Sequence, residues 1–174
     1  MKAENQQPEP WLRGTLPEVP AVQRAVLHAL ELAHEDIERW TADLSDEELN
    51  ARPGEIASVA FHLCHIARSI DRLLTYAEGS ELSVAQIEAM QAELHAGAKR
   101  AELWEELTAT LERANARIRA FAPQQLEEAR TVGRKQLPTT TGGLLVHVAD
   151  HTQRHVGQAI TTAKIVRARR DGLL

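Results

Sequence analysis

Apolar residues recur at helical spacing in four long stretches of the chain. After Pro20, Val22, Val26, Ala29, Leu30, Ala33, Ile37 and Trp40 share one face up to about residue 41, the three-and-four spacing of an amphipathic helix. A second stripe, Val59, Leu63, Ile66, Ile70, Leu73, Leu74 and Ala77, predicts a helix from Ser58 to a stop at Gly79. A third, Leu103, Leu107, Leu111, Ala114 and Ile118, predicts one over about 100–121, ended by Pro123. The fourth runs through Leu144, Leu145, Val148, His151, His155, Ala159 and Ile160 and predicts a helix over about 142–169, capped by Thr141 or a neighbouring threonine. Its closing Arg167, Arg169 and Arg170 suit the negative pole of a helix.

Shorter elements lie between. Ser45 caps a short turn, DEELN, whose acidic run Asp46-Glu47-Glu48 reads as a helix N-terminus, and Arg52-Pro53-Gly54 breaks the chain. Ser83 caps a helix that ends near Gly97. Residues 129–140 are the one plausible strand material, with Gly133-Arg134 turning a hairpin. Residues 1–18, polar and carrying Pro8, Pro10 and Pro17, read as an irregular arm pinned by Trp11 and Leu12; residues 19–174 read as a single domain. The fold class is all-α: four principal helices, extra short helices and a long crossover connection.

Composition narrows the function. A chain of 174 residues with 43% hydrophobic residues can bury a core without disulfide or metal staples. Its one cysteine excludes an internal disulfide framework and a cysteine-based zinc cluster. A net charge of −5 and 3% aromatics argue against nucleic acid, which needs a basic face or stacking platforms. The N-terminal MKAENQQPEPWLRG has no apolar signal region, and no apolar run reaches the ~18 residues of a membrane helix. The expectation is a cytoplasmic protein with neither nucleic-acid nor membrane partners.

Histidine is the unusual residue. There are eight, and five fall in two clusters, His62 with His65 and His147 with His151 and His155. Spaced by four on a helix, neighbouring members of the second cluster project from one face, each step turning about 40°. Two imidazoles at i and i+4 can bind one metal ion, and neutral imidazole suits zinc, nickel, copper and iron. Periodicity puts His151 and His155 near the middle of their stripe and His147 at its edge. A third ligand must come from a facing helix, and periodicity there prefers His62 over His65. Cys64 falls on the far side of its stripe and reads as a small interfacial residue.

Other constellations carry less. His151-Thr-Gln-Arg-His155 lacks the glutamate of an HExxH protease. Glu31-Leu-Ala-His34 is one Glu-x-x-His motif without the second that a di-iron bundle needs, and reads as surface or core packing. Gly142-Gly143 reads as a loop-to-helix junction, and His28 and His95 as isolated. No general base stands out: Asp150 points about 100° away from His151, Asp71 is a weak second candidate, and Arg154 faces outward. No catalytic residue is assigned.

Residues 147–158, His-Val-Ala-Asp-His-Thr-Gln-Arg-His-Val-Gly-Gln, resemble the final helix of the DinB/YfiT-like superfamily, and His65-Ile66-Ala67-Arg68 resembles that family's His-Leu/Ile-Ala segment. The resemblance covers most of the chain from about residue 20. It implies a four-helix bundle with a long connection, a homodimer, and a divalent metal, zinc or nickel, held by three histidines with positions open to water or substrate. Carried over by residue, the ligands are His65, His151 and His155. Against the periodicity, His65 is preferred, and His62 and His147 become neighbours of the site or alternates. The activity implied is that of a metal-dependent hydrolase or a low-molecular-weight-thiol-dependent transferase acting on a small molecule. The competing class is a non-catalytic dimeric bundle for binding or stress response, with a structural or vestigial metal site.

Overall fold

The structure is a computed structural model that describes residues 7–93 and 97–174. Among the described residues six α-helices follow in order: α1 (Ala21–Thr41), α2 (Asp46–Asn50), α3 (Val59–Ala77), α4 (Val84–Ala92), α5 (Arg100–Ala120) and α6 (Thr141–Arg170). Two short strands, β1 (Ala129–Val132) and β2 (Leu137–Thr140), stand between α5 and α6.

The helix starts follow capping chemistry. Ser45 and Glu48 form a reciprocal capping box on α2, and Ser83 and Gln86 form one on α4. The Ser58 hydroxyl accepts from Phe61 N at 3.1 Å to open α3. At α6 the cap is Thr140, which accepts from Gly143 N at 3.1 Å. The hairpin lies where expected, but its turn spans four residues, 133–136. Gly133 and Gln136 take the left-handed conformations (φ 68° and 48°) that bring Val132 opposite Leu137.

α6 packs on both α1 and α3, and α3 packs also on α5. Hydrogen bonds give the directions. Thr162 Oγ1 donates to Ala57 O (3.1 Å) beside the start of α3, and Thr141 Oγ1 to Ala77 O (3.4 Å) at its end, so α3 and α6 are antiparallel. Gln153 Nε2 donates to Ala29 O (2.7 Å) and Arg167 Nη2 to Trp40 O (2.6 Å), so α1 and α6 are parallel. Arg68 meets Glu106 (2.7 Å) and Arg117 meets Glu78 (2.6 Å), so α3 and α5 are parallel too. The chain leaving α3 must therefore return along its length before α5 can begin. That crossover carries α4, which packs on α3.

The shared core holds Ile37, Leu49, Val59, Ile66, Ile70, Leu74, Leu107, Ile118, Leu145, Val148 and Val156, all at or below 1–2% exposure. Each such side chain contributes about 1.5–3 kcal/mol relative to exposure.

Three expectations need correction. Trp11 and Leu12 do not pin the arm, since they are 61% and 57% exposed. Arg13 and Leu16 do: the Arg13 guanidinium grips Glu35 (2.6 and 2.8 Å) and Glu31 (2.9 Å) on α1, and Leu16 lies against the core. The buried stripe of α6 also runs through Thr152 and Val156, not through His151 and His155, which sit half-buried on its flank toward α3. Buried threonines masked the true centre of that face. The helix expected to end near Gly97 ends at Ala92, with Glu93 as its C-cap; His95 lies outside the described residues.

Candidate metal centre

Because α3 and α6 run antiparallel, residues that climb one helix descend the other. His62 thus faces His155, and His65 faces His151. The Nδ1 atoms of the first pair are 3.1 Å apart and the Nε2 atoms of the second 3.3 Å apart. His65, His151 and His155 each offer a donor atom, all within 4.8 Å of one another. The ring centroid of His65 lies 4.3 Å from that of His155, and His151 lies 4.6 Å from His155.

Two of the three rings are held from behind. His65 Nδ1 donates to Glu93 Oε2 at 2.7 Å, and Arg72 Nη1 donates to Glu93 Oε1 at 2.6 Å. His151 Nδ1 lies 3.4 Å from Ser69 Oγ, whose own hydrogen goes to His65 O at 2.5 Å. Ser69 therefore accepts from His151. With a hydrogen on Nδ1 of both rings, His65 and His151 turn Nε2 lone pairs toward each other. Two acceptors at 3.3 Å with no hydrogen between them suit a cation. This is the chemistry of a metal-binding donor set, and the residues present fit a divalent ion.

The electrostatics agree. Burial, followed by repulsion from the neighbouring imidazoles, pushes His62, His151 and His155 down to about 4. At neutral pH these rings are uncharged, the form that ligates metal. Glu93 is 7% exposed. Burial alone raises its carboxyl, but the hydrogen bonds from His65 and Arg72 outweigh that and hold it below the usual range. Glu93 is thus an anion beside the cluster. Phe61 stacks on the His65 ring at 5.4 Å and meets His62 edge-on at 5.3 Å.

The sequence profile of the DinB superfamily matches residues 29–159, three-quarters of the chain and both histidine clusters. The chain belongs to the DinB superfamily. Its fold is similar to that of a conserved protein from Enterococcus faecalis seen in a crystal structure. The TM-score is 0.71 at 22% identity, over 86% of this chain and 99% of the other. No curated protein matches it.

Within this DinB-superfamily chain the remaining candidates separate cleanly. His62, though the more buried of its pair at 4% exposure, touches His155 and lies outside the three-ring cluster. His147 is exposed, 5.4 Å ring to ring from His151, with Nδ1 3.5 Å from Asp150. Asp150 also pairs with Arg154 at 2.8 Å on the outer face of α6. Asp71 is engaged by Arg117 (2.7 Å) and Gln86 (2.6 Å). Cys64 is a buried free thiol, raised by its burial. Glu31 and His34 are surface and packing residues: Glu31 is exposed and binds Arg13, and the His34 ring lies tilted against Trp104, 4.9 Å between centroids. His28 lies away from the cluster and hydrogen-bonds Thr15 of the N-terminal arm at 3.0 Å. Sequence reasoning missed Glu93, Arg72 and Ser69. Ser69 was findable, one turn beyond His65; Glu93 had no signal, because it reaches the site only through the docking of α4. Among the described residues no helix is long and apolar enough to cross a membrane.

Proposed function

We propose that the chain is a metal-dependent enzyme on a four-helix bundle, in which His65, His151 and His155 hold a divalent ion, zinc or nickel. It acts on a small molecule as a hydrolase or as a low-molecular-weight-thiol-dependent transferase, and works as a cytoplasmic homodimer. The observation that carries the reading is the set of three ring nitrogens within 4.8 Å of one another, drawn from two antiparallel helices. Family membership supports it.

A divalent ion held by these three imidazoles would supply Lewis acidity and lower the pKa of a water or thiol that enters the site. The chain's own residues prepare the place. Burial keeps His151 and His155 unprotonated at neutral pH. Glu93 and Ser69 fix which nitrogen of His65 and His151 carries hydrogen. Phe61 covers one side of the His65 ring. Asp71 and Asp150 are tied into ion pairs with arginines, so neither is a general base, and the nucleophile is one that needs none.

The test is elemental analysis of protein purified without a polyhistidine tag, then activity screening of the loaded protein against electrophiles with and without a panel of small thiols. The expected result is one equivalent of metal per chain and turnover that depends on it. Metal far below one equivalent, and not restored by zinc or nickel, sinks the enzyme reading and leaves the non-catalytic binding protein in its place.

A further inference from the structure

The helix α4 is fastened to α3 in an unusual way. None of residues 84–92 is buried, so little apolar area holds it down. Its attachment is polar. Gln86 Nε2 donates to Asp71 Oδ2 (2.6 Å) and Thr75 Oγ1 (2.8 Å), and Arg68 Nη1 donates to Ala89 O (2.9 Å). At its C-cap, Glu93 is driven inward to 7% exposure and bound on both oxygens, by His65 and by Arg72. A carboxylate on the remote nitrogen of a ligand histidine fixes the tautomer and ring orientation and raises its basicity. Here that carboxylate does not belong to the helices carrying the rings. It arrives with the crossover.

Resting on the metal reading above, we propose that Glu93, itself held by Arg72, is the positioning residue for His65, and that metal binding and the docking of α4 onto α3 are therefore coupled. The coupling works in both directions, because linkage is reciprocal. Whatever affinity the docked Glu93 adds at His65, the bound ion returns as stability of the docked α4. An element attached by few buried apolar groups sits at the low-stability end of a fold, where such a return is readily seen. The chemistry is confined to one proton: His65 keeps its hydrogen on Nδ1, directed at Glu93, and presents the Nε2 lone pair to the site.

The test has three readings on wild type, Glu93→Gln and Glu93→Asp, with far-UV circular dichroism as the check that the helices remain. Glutamine keeps an acceptor without the charge; aspartate keeps the charge but is one methylene short. First, nitrogen NMR of metal-free protein at pH 8 should show His65 as the Nδ1–H tautomer in wild type, with the other tautomer gaining in both variants. Second, zinc affinity by chelator competition should fall roughly 10- to 100-fold in Glu93→Gln, with Glu93→Asp between. Third, zinc should slow amide hydrogen exchange across residues 84–92 in wild type and much less in Glu93→Gln. Wild-type zinc affinity in Glu93→Gln, or equal slowing of α4 in both proteins, overturns the coupling. An Nε2–H tautomer in the wild type overturns the positioning role without any metal present. Failure of the wild type to take up zinc overturns the metal reading and the coupling together, while the orientation of His65 is still decided by the first measurement.

Discussion

His62 and His155 face each other ring to ring, Nδ1 to Nδ1 at 3.1 Å. Both are held uncharged by burial, so one ring must donate and the other accept. If His155 donates, its Nε2 lone pair is free for the cluster it shares with His65 and His151, and His62 accepts at Nδ1 while its own hydrogen sits on Nε2. His62 thus acts on the site through His155. His62→Ala should weaken zinc binding about tenfold, the usual effect of losing a partner behind a ligand. It should not abolish binding. Chelator competition checks this, and complete loss in His62→Ala would make His62 a ligand.

The three clustered rings should behave differently. His65→Ala, His151→Ala and His155→Ala are each expected to lose stoichiometric metal. His147→Ala should change affinity little, because its ring is exposed and its Nδ1 turns to Asp150. Metal content of the four variants after gel filtration separates these outcomes. Stoichiometric zinc in His65→Ala would remove α3 from the site.

How far these assignments can be read without coordinates depends on whether a contact lies within one helix or between two. His151 and His155 are readable because i, i+4 spacing fixes their common face whatever the helix packs against. The choice between His62 and His65 is not. They differ by about 60° around α3, and both fall on the side that meets α6. What separates them is the axial register of two antiparallel helices, which no periodicity encodes; the family resemblance, not the wheel, favoured His65. Burial misleads here, since the more buried ring, His62, lies outside the three-ring cluster and the less buried one, His65, belongs to it. The four long stripes predicted α1, α3, α5 and α6 because their large apolar residues recur at helical spacing even where polar residues are buried beside them, as Gln23, His28 and Thr41 are on α1. On α6, Thr152 and Thr162 are as buried as its leucines, and their polarity shifted the apparent stripe onto the histidines. Glu93 is one of 25 acidic residues, and its burial follows from the return path of the crossover.

The metal-free protein should lose stability as pH falls toward 4. His62, His151 and His155 have folded values of about 4, below the ordinary value near 6.5. Between those limits the unfolded chain binds more protons than the folded one, so stability rises with pH. The contribution is fully present above about pH 6.5 and is lost as pH drops through about 4. Thermal melts of apoprotein between pH 7 and 4 should show Tm falling across this window, and His62→Gln, which cannot charge, should flatten the fall. A Tm that rises on acidification over the same range contradicts the burial of neutral rings.

Cys64 decides where the sulfur of any thiol chemistry comes from. Its thiol is buried at 9% exposure and belongs to the core, and burial raises its pKa above the ordinary value. Since the thiolate is the nucleophile, such a group reacts slowly and is a poor partner for an electrophile. Cys64→Ala should therefore bind metal like the wild type and lose only about 1 kcal/mol of stability, the cost of removing one small buried group. Alkylation of native protein by iodoacetamide should be slow and become fast only on unfolding. If turnover is found to require an added thiol, the variant should retain that requirement with unchanged kcat. Loss of thiol-dependent turnover in a folded, metal-loaded Cys64→Ala protein would instead put the chain's own sulfur into the reaction.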